Sequence, residues 1–316
     1  MTNIQHQRII TTALAHWGFE GASTQLAAAR ENTVYAVDHD GARYALRLHR
    51  IGYRDDAELV SELQWMDGLT SAGMNLPRPV PSSAGQFIHI IDGVSVDILT
   101  WLDGRPMRRG GSMIDHPDIT AIYYQLGQSM ATLHHISDEW TPPANFTRAR
   151  WDAGGLVGAD PLWGRFWENP HLSALQIKQM KAFQADALRR LQAHPEWDFG
   201  LIHADLVPDN VLIHHQNGQD KLYMIDFDDS GFGYRLFDLA TTLHHAARTD
   251  NYDAYHHALL AGYQDRRALD LDGLRLFQAI RALSYVGWII PRAHEDGGAH
   301  RTKRFIQEAM TWMDAV

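Results

Sequence analysis

The chain has 316 residues, 45% of them hydrophobic and 21% charged, the composition of an ordinary globular protein with material for two lobes. Its 28 Lys and Arg against 38 Asp and Glu give a formal charge of −10, which disfavours nucleic acid as a partner, and the absence of cysteine excludes disulfides and thiol chemistry. The N-terminal stretch lacks the apolar core of a signal peptide and no run reaches the roughly 18 apolar residues of a membrane span, so a cytoplasmic protein without membrane contact is expected.

In chain order, Ile9, Ile10, Leu14 and Trp17 recur at helical spacing and predict an amphipathic helix ending near Gly18. Strands follow over 24–28, 32–38 and 43–49, with His39-Asp40-Gly41 as a turn. In the third strand Ala45, Arg47 and His49 share one face, Leu46 and Leu48 the other. A helix then opens at Asp55-Asp56 and runs to about 71, with Leu59, Leu63, Met66 and Leu69 as its apolar stripe and Glu62 beside it. A carboxylate on an inward face wants a partner, and Arg47 is the natural one; Glu58, one turn earlier, is the competing carboxylate.

After a stiff Pro-rich connector over 76–81, segments 86–91 and 94–101 form a hairpin around Asp92-Gly93, and Leu102-Asp103-Gly104 breaks the strand pattern. Beyond it the chain is mostly helical: helices are expected over 119–135, 172–191, 237–248, 252–263, 271–290 and 301–313, with 140–164 read as loops. Two lobes follow from this change of pattern, a sheet-rich one over 1–101 and a helical one over 102–316, hinged at 99–104. Tyr285, Trp288 and Arg292 recur at helical spacing and read as core, while Glu295 and Asp296 in a late loop are either solvated or available to a cationic acceptor.

The most informative stretch is 201–239. It reads as a short strand, a loop with His203, Asp205 and Asn210 in H-x-D-x-x-x-x-N spacing, two further strands over 211–214 and 221–225, and then Asp226-Phe227-Asp228-Asp229. Magnesium takes hard oxygen ligands and usually one or two carboxylates, a role that Asn210 and Asp226 fit. Phosphoryl transfer asks for positioning, electrostatic stabilisation and one carboxylate to orient the attacking hydroxyl, and Asp205 is the candidate. His203 reads as a structural loop histidine, Asp238 as an internal brace for the loop, and Asp228 and Asp229 as either second-metal ligands or solvated acids.

These motifs resemble the aminoglycoside phosphotransferase and choline kinase superfamily, which shares the protein-kinase-like fold. Within it, Glu31-Asn32-Thr33-Val34-Tyr35, Tyr44-Ala45-Leu46-Arg47, Ile225-Asp226-Phe227-Asp228-Asp229 and Arg281-Ala282-Leu283-Ser284-Tyr285 look most like the bacterial stress-response kinase A branch. The resemblance, over about 25–313, implies an α+β two-lobed fold with a small N-terminal β-sheet lobe and a larger helical C-terminal lobe. It also implies ATP and Mg²⁺ as cofactors, with transfer of the γ-phosphate to a hydroxyl on a small molecule or on Ser/Thr of a protein.

By the same resemblance Arg47 and Glu62 form the strand-to-helix ion pair of kinase folds, Asn32 and nearby amides meet the phosphates, and backbone groups at Thr100 and Trp101 face the adenine. Two departures stand out: Arg47 replaces the family's usual Lys, with a planar fork in place of a point charge, and the Gly-rich loop is missing. They suggest the rival reading, a nucleotide-binding regulator with weakened catalysis.

Overall fold

The computed structural model describes residues 3–29 and 32–316. Their contacts separate into two compact units, one made of Met1–Arg105, Trp140–Arg148 and Leu212–Asp228, the other of Pro106–Glu139, Ala149–Val211 and Asp229–Val316. Two later segments, Trp140–Arg148 and Leu212–Asp228, thus belong to the first unit.

In the first unit a helix, α1 (Asn3–Trp17), precedes an antiparallel sheet of β1 (Ser23–Ala29), β2 (Thr33–His39), β3 (Ala42–Leu48), β4 (Ile88–Ile91) and β5 (Val94–Thr100), ordered β1-β2-β3-β5-β4. The apolar face of α1, with Ile9, Ile10, Ala13, Leu14 and Trp17, packs with Val37, Leu46, Leu48, Val96 and Ile98. Each large aliphatic side chain buried this way contributes about 1.5–3 kcal/mol, and the Trp17 indole donates to the Val80 carbonyl at 2.7 Å, tying α1 to the proline-rich connector.

The second helix, α2 (Asp56–Ser71), starts with a capping box in which Asp55 and Glu58 exchange side-chain and backbone hydrogen bonds. That settles the competition between its acids: Glu58 serves the helix start, and Glu62, one turn on, is buried. A later hairpin, Val211–Gln216 with Gln219–Met224, turns on Asn217 and Gly218 at φ of 54° and 75°, the left-handed pair that a tight two-residue turn requires.

The second unit is helical: α3 (Ile119–Glu139), α4 (Ala153–Val157), α5 (Ala174–Ala193), α6 (Arg235–Ala246), α7 (Tyr252–Gln264), α8 (Leu274–Trp288) and α9 (Gly298–Asp314). A small sheet runs Phe199–Ile202, Gly231–Tyr234, Ala149–Trp151. The stretch 140–164, expected as loops, therefore contains a strand and the short helix α4. Parallel pairing with Gly231–Tyr234 fixes the strand, a long-range contact with no local signal.

The helices α3 and α7 pack backbone to backbone because each presents a glycine: a Cβ on Gly127 would collide with the Leu259 carbonyl, and one on Gly262 with the Tyr124 carbonyl. At the centre lie α6, every residue of which is buried, and α8, buried along nearly its whole length. A polar side chain on either must therefore find a partner inside the protein. Among the described residues no helix is long and apolar enough to cross a membrane.

Candidate active site

The loop after strand Phe199–Ile202 is held by one face of α6. Asp238 is wholly buried, and its two carboxylate oxygens accept from the backbone N–H of His203 at 2.9 Å and of Ala204 at 2.7 Å. Three and four residues on, Thr241 donates to the Ala204 carbonyl at 3.4 Å and Thr242 to the Leu206 carbonyl at 2.7 Å. Positions i, i+3 and i+4 share one side of a helix, so a single turn of α6 grips the loop from 203 to 206. Ala204 sits at φ 66°, a left-handed conformation costly for a residue with a Cβ, and the pair of bonds from Asp238 holds it there.

Asp238 is braced in turn. Burial keeps His134 neutral, with its pKa down to about 4, and its ring bridges the Tyr263 hydroxyl at 2.7 Å and Asp238 at 3.1 Å. The pattern assigns Nε2–H as the donor to Asp238 and Nδ1 as the acceptor from Tyr263. Burial alone would raise the Asp238 carboxyl, but the hydrogen bonds from the His134 ring and the His203 backbone outweigh it and hold it below the usual range. The reading of Asp238 as a brace matches these contacts.

So restrained, Asp205 presents its carboxylate with one quarter of the side chain exposed. Oδ1 lies 2.5 Å from Nη2 of Arg281, and Oδ2 and the Asp205 carbonyl accept from the Asn210 amide at 3.3 and 2.9 Å. Burial pushes the carboxyl up to about 7; Arg281 opposes the rise, and Asp229 and Asp209 add to it. A carboxylate poised near neutrality is what a general base at physiological pH requires. Because its NH₂ is spent on Asp205, the Asn210 amide leaves its carbonyl oxygen as the free acceptor, a hard donor of the kind magnesium takes.

Arg281 was quoted in the sequence only as part of a likeness, and its role was missed. Its guanidinium is fully buried, 4.3 Å from the Trp163 ring centroid, 4.5 Å from Tyr285 and 5.7 Å from Phe237. It also donates through Nη2 to the Tyr285 hydroxyl at 2.8 Å. The available signal was a lone arginine among Phe277, Ile280 and Leu283 on a buried helix, which demands a buried partner. Nearby, Arg108 pairs with Asp209 at 2.6 Å.

In the first unit Arg47 does meet Glu62, at 2.9 Å. It also forks onto Asp97 through Nε at 2.9 Å and Nη2 at 2.8 Å, and reaches Asp228 at 3.4 Å. These four hydrogen bonds leave one of the five guanidinium N–H groups for anything else. Asp97, which also accepts from His49 at 2.6 Å, was missed by sequence reasoning. Burial would raise its pKa, but Arg47 and His49 outweigh burial and hold it down to about 2.

The Asn32 amide donates to Asp228, while its oxygen accepts from the Arg50 N–H at 3.3 Å. Glu31 and Arg30 lie outside the described residues. Asp226 is exposed, at φ 67°, immediately before the buried Phe227. Thr100 and Trp101 have committed their N–H groups, to the carbonyls of Arg78 at 2.9 Å and Arg43 at 3.2 Å. Neither N–H is left for another acceptor, while this stretch still carries the Trp101 carbonyl and the irregular segment that follows.

Compared with known proteins, residues 23–277 match the model of the phosphotransferase enzyme family. The chain belongs to that family. Relatives of this phosphotransferase include the amicoumacin kinase of Bacillus subtilis (strain 168), 26% identical over 253 residues that cover 75% of this chain and 67% of the relative. A homoserine kinase of Chelativorans sp. (strain BNC1) is 28% identical over 280 residues, covering 85% and 79%. Among solved structures, a microcompartment-associated aminopropanol kinase superposes with a TM-score of 0.80 at 28% identity, over 97% of this chain and 95% of that one. The α+β kinase-like architecture and the superfamily likeness read from the motifs are thereby shown. This phosphotransferase is a kinase with an alcohol group as acceptor.

Proposed function

We propose that this phosphotransferase moves the γ-phosphate of ATP to the hydroxyl of a small molecule, with Asp205 as the base. The observation that carries the reading is the Asp205 carboxylate itself: its loop is pinned by Asp238, one oxygen is held by Arg281, and its pKa lies near 7. The acceptor oxygen forms its bond to the γ-phosphorus as the bond to the bridging β–γ oxygen breaks; ADP leaves and the hydroxyl proton passes to Asp205. The relatives named above are kinases of homoserine, amicoumacin and aminopropanol, which favours a small-molecule acceptor over a protein.

In this reading Asn210 and Asp226 hold magnesium, which neutralises phosphate charge when bound. Arg47, kept in place by Glu62, Asp97 and Asp228, supplies its remaining N–H to the nucleotide, with Asn32 beside Asp228 and the Thr100–Trp101 stretch as further nucleotide contacts. The test is γ-phosphate transfer from Mg·ATP by the parent chain and by Asp205→Asn, against hydroxylated metabolites, aminoglycosides and Ser/Thr-rich proteins. Loss of transfer with ATP binding retained is expected in the variant, and near-normal turnover removes Asp205 from its role. Tight ATP binding by a parent that phosphorylates nothing points instead to the regulator.

A further inference from the structure

Where the end of α6 meets α9 the second unit carries a cluster of arginines whose charges do not balance.

Glu308 on α9 is a single carboxylate, and it faces Arg248 at 2.8 Å, Arg304 at 3.7 Å and His244 at 3.5 Å. Two permanent cations thus share one anion, a local excess of one positive charge, since burial keeps His244 neutral with its pKa down to about 4. The neighbouring arginines do not need Glu308: Arg108 has Asp209 at 2.6 Å and Arg301 has Glu295 at 2.9 Å.

Donor capacity is left over as well. The Arg304 contact to Glu308 is too long for a hydrogen bond, and its Nε is buried with no partner among the described residues. The Nδ1 atoms of the buried His244 and His245 also lack partners there. Unsatisfied buried donors beside an uncompensated charge are costly unless an anion completes them. His245 reports the same field from its own position: burial first, then His244, Arg108, Arg248 and Arg281, hold its pKa well below the usual histidine range.

This cluster is connected to the base. From Asp205 the contacts run to Arg281, to the Tyr285 hydroxyl, and on to Nε2 of His245 at 3.2 Å. The Tyr285 ring lies 5.0 Å from His244 and stacks on Phe305 at 4.9 Å, and the Arg304 guanidinium lies 5.2 Å from that Phe305 ring. Tyr285 thus touches both the arginine that holds the base and the His244–His245 pair of the cluster.

We propose that the acceptor carries a carboxylate as well as its hydroxyl, and that Arg304 and Arg248 receive that carboxylate while Asp205 faces the hydroxyl. The inference rests on the kinase reading above and names its acceptor class: a small hydroxy acid or hydroxy amino acid, as opposed to an amino alcohol. The arginine fork matches a carboxylate in shape, whereas an ammonium group would meet like charge.

The matched probes are L-homoserine and 3-amino-1-propanol, which share the hydroxyl and the amine and differ by the carboxylate, together with D-glycerate and glycerol. Each is assayed for transfer from Mg·ATP by the parent chain and by Arg304→Met and Arg248→Met, alongside an aminoglycoside. The parent is expected to favour the carboxylate member of at least one pair by about tenfold or more in kcat/KM. Arg304→Met, the more exposed position and so the safer variant for folding, is expected to raise KM for that member by about tenfold, with kcat and the transfer to its partner alcohol unchanged. Equal use of both members, a preference for the decarboxylated one, or an equal loss on both in Arg304→Met would overturn the inference. Transfer confined to alcohols without a carboxylate overturns this inference alone, while absence of transfer to every alcohol overturns the kinase reading and this with it.

Discussion

Arg281 places Nη2 2.5 Å from Oδ1 of Asp205 and donates from the same nitrogen to the Tyr285 hydroxyl, so the cation that steadies the base is itself fixed inside an aromatic box. The base is thereby held in one orientation with its second oxygen turned to Asn210. Two opposing effects meet on this carboxylate: burial and the acids Asp229 and Asp209 raise its pKa, and Arg281 lowers it.

The pH dependence of transfer should report this balance. Asp205 acts when ionised, so the acid limb of kcat/KM is expected near pH 7 in the parent. Removing the opposing cation with Arg281→Met should carry the limb upward by about one unit or more, so that activity near pH 6 falls much further than activity near pH 9. Arg281→Lys, which keeps the charge, should shift it less. A limb that does not move in Arg281→Met would separate the arginine from the titration of the base.

The loop geometry depends on Asp238, whose two oxygens serve two N–H groups and His134. In Asp238→Asn one oxygen becomes an NH₂ that faces donors, and the loop must shift. A displacement of the base by about 1 Å is expected to cost on the order of 100-fold in kcat, with ATP affinity retained. Steady-state kinetics beside nucleotide titration measures both; an unchanged kcat would show that the loop holds without its brace.

In the first unit, Asp97 and Arg47 form a buried fork across β3 and β5. Asp97→Asn weakens the two charge-assisted hydrogen bonds of this fork, with Glu62 and Asp228 left to balance Arg47, and should destabilise the unit by about 2 kcal/mol at neutral pH. Since the folded pKa of Asp97 is depressed to about 2, its contribution is complete above the unfolded value near 4 and is lost as pH falls through about 2. Urea unfolding of parent and variant should therefore differ at pH 7 and converge toward pH 2.

The α3–α7 crossing should tolerate no side chain at its contact. Gly127→Ala sets a methyl group against backbone that cannot rotate away, and a loss of about 3 kcal/mol is expected, seen as a lower urea midpoint with unchanged slope. Gly200 meets the flexible end of Arg235 instead, so Gly200→Ala should cost less.

What the sequence determined by itself was local in origin. The apolar periods of α1 and α2, the strand pattern of β1 to β5, and the fixed spacing of His203, Asp205, Asn210 and Asp226 were legible locally, and the family resemblance of those motifs implied a kinase-like α+β fold. The Arg47–Glu62 pair was legible too, because strand alternation and helix phase each predicted an inward-facing charge. The tertiary structure alone decided which distant residues complete these groups. Asp97 reaches Arg47 from fifty positions away through the β3–β5 register, and Arg281 reaches Asp205 from seventy-six away because α8 is buried beside the loop. Register and helix packing are set by the whole core, which no local spacing encodes. The same is true of the excess charge shared by Arg248 and Arg304, since a charge is in excess only relative to the carboxylates that folding brings near it.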